Sequence, residues 1–117
     1  MESDTSNLLR GTLTTLVLSV LEREPLYGYE IAKEIRERTG GLLHLKEGSL
    51  YPSLHWMERE GFLSPKWMDA ERGPRRKYYH LTRKGRTVLA KRRSTWQQFR
   101  DAVDTIVAAQ PEGRQAR

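Results

Sequence analysis

Glu47-Gly-Ser-Leu-Tyr-Pro-Ser-Leu-His-Trp-Met-Glu-Arg-Glu-Gly-Phe-Leu63, then after a short run Gly73-Pro74 and Arg75-Arg-Lys-Tyr-Tyr-His-Leu81, is the stretch that decides the fold. It reads as a helix, a closing glycine, a strand, a Gly-Pro turn and a returning basic strand. A helix followed directly by a hairpin with a cationic tip is a winged-helix arrangement. The expected class is α+β, mostly α: a winged helix-turn-helix with a long C-terminal dimerisation helix. Such a helix has the size and shape to enter the major groove, and Arg and Lys at a hairpin tip can neutralise phosphates beside it.

Within this stretch the helix is expected to start near Gly48 or Ser49, with Ser49 as N-cap. Pro52 then falls in the first turn, where its missing N–H costs little. Leu50, Leu54 and Met57 form the inner stripe. Ser49, Tyr51, Ser53 and His55 lie away from it, and short polar and aromatic residues of this kind suit phosphate and base-edge contact. The competing reading of each is an ordinary surface residue. Gly61 stops the helix and Phe62-Leu63 opens the first hairpin strand, with Trp67 expected to pack on the sheet. Residues 69–74 are turn-rich. In the returning strand, alternation turns one of Tyr78 and Tyr79 inward and the other outward.

Upstream, residues 1–7 are polar and expected to fray. The acidic start, Met1-Glu2-Ser3-Asp4, is unlike a signal peptide. Leu9, Leu13, Leu16, Val17, Val20 and Leu21 recur at helical spacing and predict a first helix from about Leu8 to Arg23, ended by Pro25. A second helix follows Leu26-Tyr27-Gly28-Tyr29-Glu30, with Gly28, Ile31, Ala32 and Ile35 on one face. Gly40-Gly41 supplies the left-handed residues that close it. Leu42 to Leu45 is a short apolar connection, expected as a brief strand pairing at the base of the hairpin.

Downstream, Thr82 is the N-cap of a last helix reaching about Ala109, roughly 40 Å at 1.5 Å per residue. Leu89, Trp96 and Val103 fall at one heptad position and Phe99 and Ile106 at the other, with Arg92 as the exception. A long helix with a seam and no partner in its own chain implies a second copy, hence a homodimer. The expected organisation is a winged-helix domain over residues 8–81, a dimerisation helix over 82–110 and a disordered tail over 111–117.

The composition narrows the function classes. A chain of 117 residues supports one modest core. The densest apolar run, Leu16 to Leu21, is interrupted by Ser19 and falls far short of the roughly 20 residues that span a bilayer, so no membrane association is expected. The absence of Cys excludes disulfides and thiolate metal sites and fits a cytoplasmic location. Net charge is +6, and eleven Lys or Arg with no Asp or Glu lie between Arg72 and Arg100, which leaves −5 for the remainder. A basic run is often only a solvated face. One that begins at a hairpin tip points instead to a polyanion.

With these elements in place, the chain resembles the PadR family of bacterial transcriptional regulators. The resemblance rests on Leu9-Arg10-Gly11-Thr12-Leu13, Tyr27-Gly28-Tyr29-Glu30-Ile31, Glu47-Gly48-Ser49-Leu50-Tyr51-Pro52, Arg75-Arg76-Lys77-Tyr78-Tyr79-His80-Leu81-Thr82 and Gly85. The single terminal helix is similar to the shorter branch of the family. The resemblance implies a repressor that binds an inverted-repeat operator in double-stranded DNA as a homodimer joined through its first and last helices. It implies release by a small aromatic effector. It maps DNA contact onto Gly48, Ser49, Tyr51 and Pro52 of the helix, beside His55, and onto Arg72, Arg75, Arg76 and Lys77 of the wing. It marks Trp96, with Phe99 near it on the seam, as effector-binding, where simple packing on the seam is the competing reading. Arg92, Arg93 and Arg100 would favour an anionic effector.

Other classes are weaker. His44, His55 and His80 have no metal-ligand spacing, and there is neither a nucleophile motif nor a phosphate-cradling loop. Neither a metal, a cofactor nor an enzymatic activity is expected. A winged helix that binds RNA or another protein is the alternative, since the fold alone does not dictate function; a drug-binding sponge with only a minor DNA role is a further rival.

Overall fold

The computed structural model describes residues 4–109. The chain is α+β and mostly helical, running α1 (Asp4–Val20), β1 (Leu26–Tyr27), α2 (Gly28–Arg38), α3 (Glu47–Arg59), β2 (Leu63–Met68), β3 (Arg76–Leu81) and α4 (Arg83–Val107). The antiparallel sheet has the order β1-β3-β2. Its registers run from Leu63↔Leu81 to Met68↔Arg76 in the hairpin and set Leu26↔Tyr79 beside it. This is a winged helix. Pro65 sits on β2, whose one strand partner is β3, an edge position where a missing N–H is tolerated.

α1 begins at Asp4, ahead of the expected Leu8, and stops at Val20 rather than Arg23. Ser19 turns its hydroxyl back to the Thr15 carbonyl, and the Glu22 N–H reaches only as far as the Ser19 carbonyl, so the last turn tightens before Pro25 is reached. Leu13, Val17, Leu18, Val20 and Leu21 of α1 and the turn after it are buried with Ile31 and Ile35 of α2 and with Leu50, Leu54 and Met57 of α3. Tyr79, Leu81 and Leu89 complete that core.

The third strand is not where the sequence suggests. Leu42–Leu45 forms no strand: the Leu43 N–H bonds the Thr39 hydroxyl, Leu45 is buried as a core plug and Leu42 stays exposed. Leu26 and Tyr27, directly after Pro25, pair with β3 instead. The glycine stops lie as expected, with positive φ at Gly40, Gly41 and Gly61. After α3 the Phe62 N–H returns 2.9 Å to the Met57 carbonyl.

α3 starts at Glu47, one or two residues early. Lys46 is its N-cap, its carbonyl accepting from the N–H groups of both Ser49 and Leu50, so Ser49 is inside the helix and not its cap. Pro52 therefore stands past the first turn, and its missing N–H removes the bond that would reach the Gly48 carbonyl. At the start of α4, Thr82 does cap the helix, accepting from the Gly85 N–H at 2.9 Å. The same hydroxyl donates to the Gly61 carbonyl at 2.5 Å, and the Thr82 N–H donates to the Phe62 carbonyl at 3.1 Å. Gly85 passes so close to that carbonyl that a Cβ there would overlap it.

α4 rests on the body through Gly85, Val88 and Leu89, and from Ser94 to Ala109 every residue is exposed. The molecule consequently extends 65 × 32 × 23 Å with a radius of gyration of 17.5 Å, against about 13 Å for a compact domain of roughly 100 residues. The tail expected over 111–117 lies outside the described residues.

A paired glycine test follows. Gly85→Ala is expected to destabilise the protein by about 1–3 kcal/mol through overpacking against the Phe62 carbonyl. Gly11→Ala, where a Cβ meets nothing within 4 Å, should be neutral or stabilising by up to about 1 kcal/mol. Calorimetric melting of the two variants beside the parent checks both signs.

Candidate nucleic-acid interface

The interface is built from the outer side of α3 and the hairpin. With Leu50, Leu54 and Met57 committed to the core, helical geometry turns Gly48, Ser49, Tyr51, Pro52 and His55 outward, and all five are exposed. Ser53 is half-buried. Tyr51 also leans on the start of α2: a Cβ added to Gly28 would lie 2.6 Å from the Tyr51 hydroxyl oxygen. The small residue at Gly28 thus admits an aromatic ring from α3, so the two helices share one surface.

Between α3 and the hairpin runs an open groove of about 260 Å³, lined by Tyr27, Gly28, Tyr51, His55, Trp67, Arg76, Lys77 and Tyr79. It brings together Tyr51 and His55 from the helix with Arg76 and Lys77 from the wing. Arg72 and Arg75 stand apart on the exposed turn, where Gly73 takes a φ of 85°.

The wing cations are not equivalent. Lys77 Nζ lies 3.0 Å from Glu58 Oε1, an ion pair between β3 and α3 in which both side chains are largely covered. Burial pulls the Lys77 ammonium down, but contact with Glu58 and Tyr79 overrides this and holds it above its ordinary range. Burial pushes the Tyr79 phenol up, partly countered by Lys77. Arg75 Nε is 3.4 Å from Asp69 and its Nη2 donates to the Trp67 carbonyl at 3.5 Å. Arg76 stacks its guanidinium 4.7 Å from the Tyr27 ring centroid, an arrangement that leaves its N–H edges open. Of the four cations between Arg72 and Lys77, Arg72 and Arg76 therefore have no ion-pair partner among the described residues, while Lys77 is a strut between wing and helix.

Two groove residues escape a reading by sequence. Trp67 is not packed on the sheet: it is 54% exposed, with Lys77 Nζ 6.0 Å from its ring. Its register partner is Lys77, so it shares a face with Tyr79 and Leu81, but the hairpin has by then run past the edge of the core. Tyr27 stacks on Tyr29 at 6.3 Å and meets Tyr78 edge-on at 5.3 Å. The run Tyr27-Gly28-Tyr29 was its available signal, and as a helix lead-in it gave no hint of the groove.

At the other end, Trp96 and Phe99 approach to 6.2 Å between ring centroids and both are exposed. Of the arginines near them, Arg93 is engaged by Glu22 and Arg100 by Asp101. The cationic surroundings expected for an anionic ligand are thus partly neutralised. Among the described residues no group of three or more His, Asp or Glu is placed to hold a metal ion, and no helix is long and apolar enough to cross a membrane.

The family model for the transcriptional regulator PadR-like family matches residues 17–91. A transcriptional regulator from Clostridium thermocellum is 31% identical with a TM-score of 0.78, the match covering 86% of this chain and 98% of that one. A PadR-like transcriptional regulator from Bacillus cereus is 30% identical with a TM-score of 0.77, covering 89% and 99%. PadR of Bacillus subtilis, solved in complex with operator DNA, is 28% identical over 68% of this chain and 45% of its own, with a TM-score of 0.63.

The strut is open to a double-mutant cycle. Glu58→Gln and Lys77→Gln are each expected to destabilise, with a coupling of about 0.5–1 kcal/mol in urea unfolding because both side chains, though largely covered, still touch solvent.

Proposed function

This chain belongs to the PadR-like family of transcriptional regulators, and on that premise we propose that it is a cytoplasmic repressor that binds an inverted-repeat operator as a homodimer. The family is one of regulators and not of enzymes. The observation that carries the reading is the groove, where the outward Tyr51 and His55 of α3 meet Arg76 and Lys77 of the wing. The operator complex of the Bacillus subtilis relative supports the same assignment.

In this reading residues 8–81 form the DNA-binding domain and the segment 82–110, built on α4, joins the two copies. Gly48, Ser49, Tyr51, Pro52 and His55 meet the major groove, and Arg72, Arg75 and Arg76 meet flanking phosphates. Lys77 contributes by holding the wing against the helix. The dimer is supported by the far half of α4, which leaves Trp96, Phe99, Val103, Ile106 and Val107 exposed along it, more apolar surface than an isolated helix keeps in water. A second copy laid along that seam would cover it. A flat aromatic effector would stack against Trp96 and Phe99, releasing DNA only if it prefers one dimer geometry over another.

Selection from randomised duplexes is expected to return an inverted repeat with half-sites about one helical turn apart; recovery of no shared sequence would refute the operator. Arg72→Ala and Arg76→Ala should each lower the salt slope of binding by about one per phosphate contact in each subunit. Lys77→Gln should leave that slope unchanged, and Tyr51→Ala should alter the preferred sequence. Val103→Asp with Ile106→Asp is expected to convert a sedimenting dimer to monomer. An aromatic ligand should quench tryptophan fluorescence in the parent and lose that effect in Trp96→Ala.

A further inference from the structure

The turn after α1 carries Glu22, and α4 carries Arg93, 71 residues later. The two form a two-pronged pair, with Arg93 Nη2 donating to Glu22 Oε1 at 2.8 Å and Nη1 to Oε2 at 3.4 Å. Arg93 is also the last half-buried residue of α4, since everything described from Ser94 onward is exposed. The pair therefore sits where the helix leaves the body. Below it, the Thr82 hydrogen bonds and the close approach of Gly85 to the Phe62 carbonyl locate the start of α4. Between that start and Arg93 the helix is packed through Val88 and Leu89, contacts that are non-directional. A planar guanidinium gripping a carboxylate by two atoms is directional and fixes an angle.

Glu22 has little freedom to follow a moving helix. It lies between Leu21, buried in the core, and Pro25, which leads into β1. The hydrogen bonds from Arg93 hold its carboxyl below the ordinary range despite some burial, with Arg86 adding a smaller attraction across the same corner. Arg23, Lys66 and Arg86 line one hollow with Glu22, beside Glu24 and His80, and among the described residues Arg93 alone bonds the Glu22 carboxylate through its side chain.

We propose that Glu22 and Arg93 are specificity-determining positioning residues, which set the angle between the reading head and the dimer stem and so the operator spacing the protein accepts. The inference rests on the pairing of two copies through α4 proposed above. Two-fold symmetry doubles any head movement. With a rise of about 3.4 Å per base pair, a shift of only about 1.7 Å per head changes the matched spacing by one base pair. A partly exposed pair biases such an equilibrium by up to about fivefold, and a dimer holds two.

The test uses the full chain and the duplex that the parent protein selects, resynthesised with its central spacer one base pair shorter and one longer. Glu22→Gln and Arg93→Gln are each expected to reduce the preference for the selected spacing by about fivefold while leaving affinity for a single half-site within about twofold. The exchanged pair, Glu22→Arg with Arg93→Glu, should restore most of that preference. Dimers by sedimentation whose spacing preference is unchanged in both single variants would overturn this inference and leave the dimer standing. A parallel fall in half-site affinity, the mark of a merely structural role, would overturn it too. A monomeric parent protein would overturn both.

Discussion

Four elements of this fold meet at one junction of backbone hydrogen bonds. The carbonyls of Gly61 and Phe62, between the end of α3 and the start of β2, receive the hydroxyl and the N–H of Thr82, which lies between the end of β3 and the start of α4. Thr82 at the same time caps α4 through Gly85, and Gly85 lets that helix begin in contact with the Phe62 carbonyl. α3, the hairpin and α4 are thereby joined within a few residues. Any side chain larger than hydrogen at Gly85 must separate α4 from the carbonyls that locate it.

Above this junction, the placement of charge distinguishes structural from available cations. The basic segment looks uniform in sequence, yet Lys77 is committed to Glu58, Arg75 to Asp69 and Arg93 to Glu22. Arg76, laid on Tyr27, keeps its N–H edges free. A polyanion meeting this face encounters fewer uncompensated charges than the count of Lys and Arg implies. Of those that remain, Arg76 lines a groove walled by tyrosine, histidine and tryptophan.

The body and the far half of α4 obey different rules. In the body, apolar residues at helical and strand period converge on one core. Beyond Arg93 the same kind of residue stays in water, and the molecule is much longer than a compact domain of its size. That unpaired seam is the physical basis for proposing a second copy. It also places Trp96 and Phe99 where a change in their surroundings would reach the rest of the protein through the helix they occupy.

The sequence by itself determined what depends on neighbours a few residues away. The glycine stops at Gly40, Gly41 and Gly61, the cap at Thr82, the inward stripe of Leu50, Leu54 and Met57 and the outward turn of Tyr51 and His55 all follow from local backbone preference and periodicity. The family likeness was legible for the same reason, since its motifs are short local runs in α1, at the start of α2, in α3 and along β3 into the Thr82 cap. Three-dimensional structure decided what depends on distant partners. β3 took Leu26–Tyr27 in place of Leu42–Leu45 because Thr39 had already claimed the Leu43 N–H. Trp67 emerged into solvent because the hairpin outruns the core. Which cations are engaged was settled by carboxylates far away along the chain, because ion pairs are chosen by geometry in space and leave no periodic trace in the sequence.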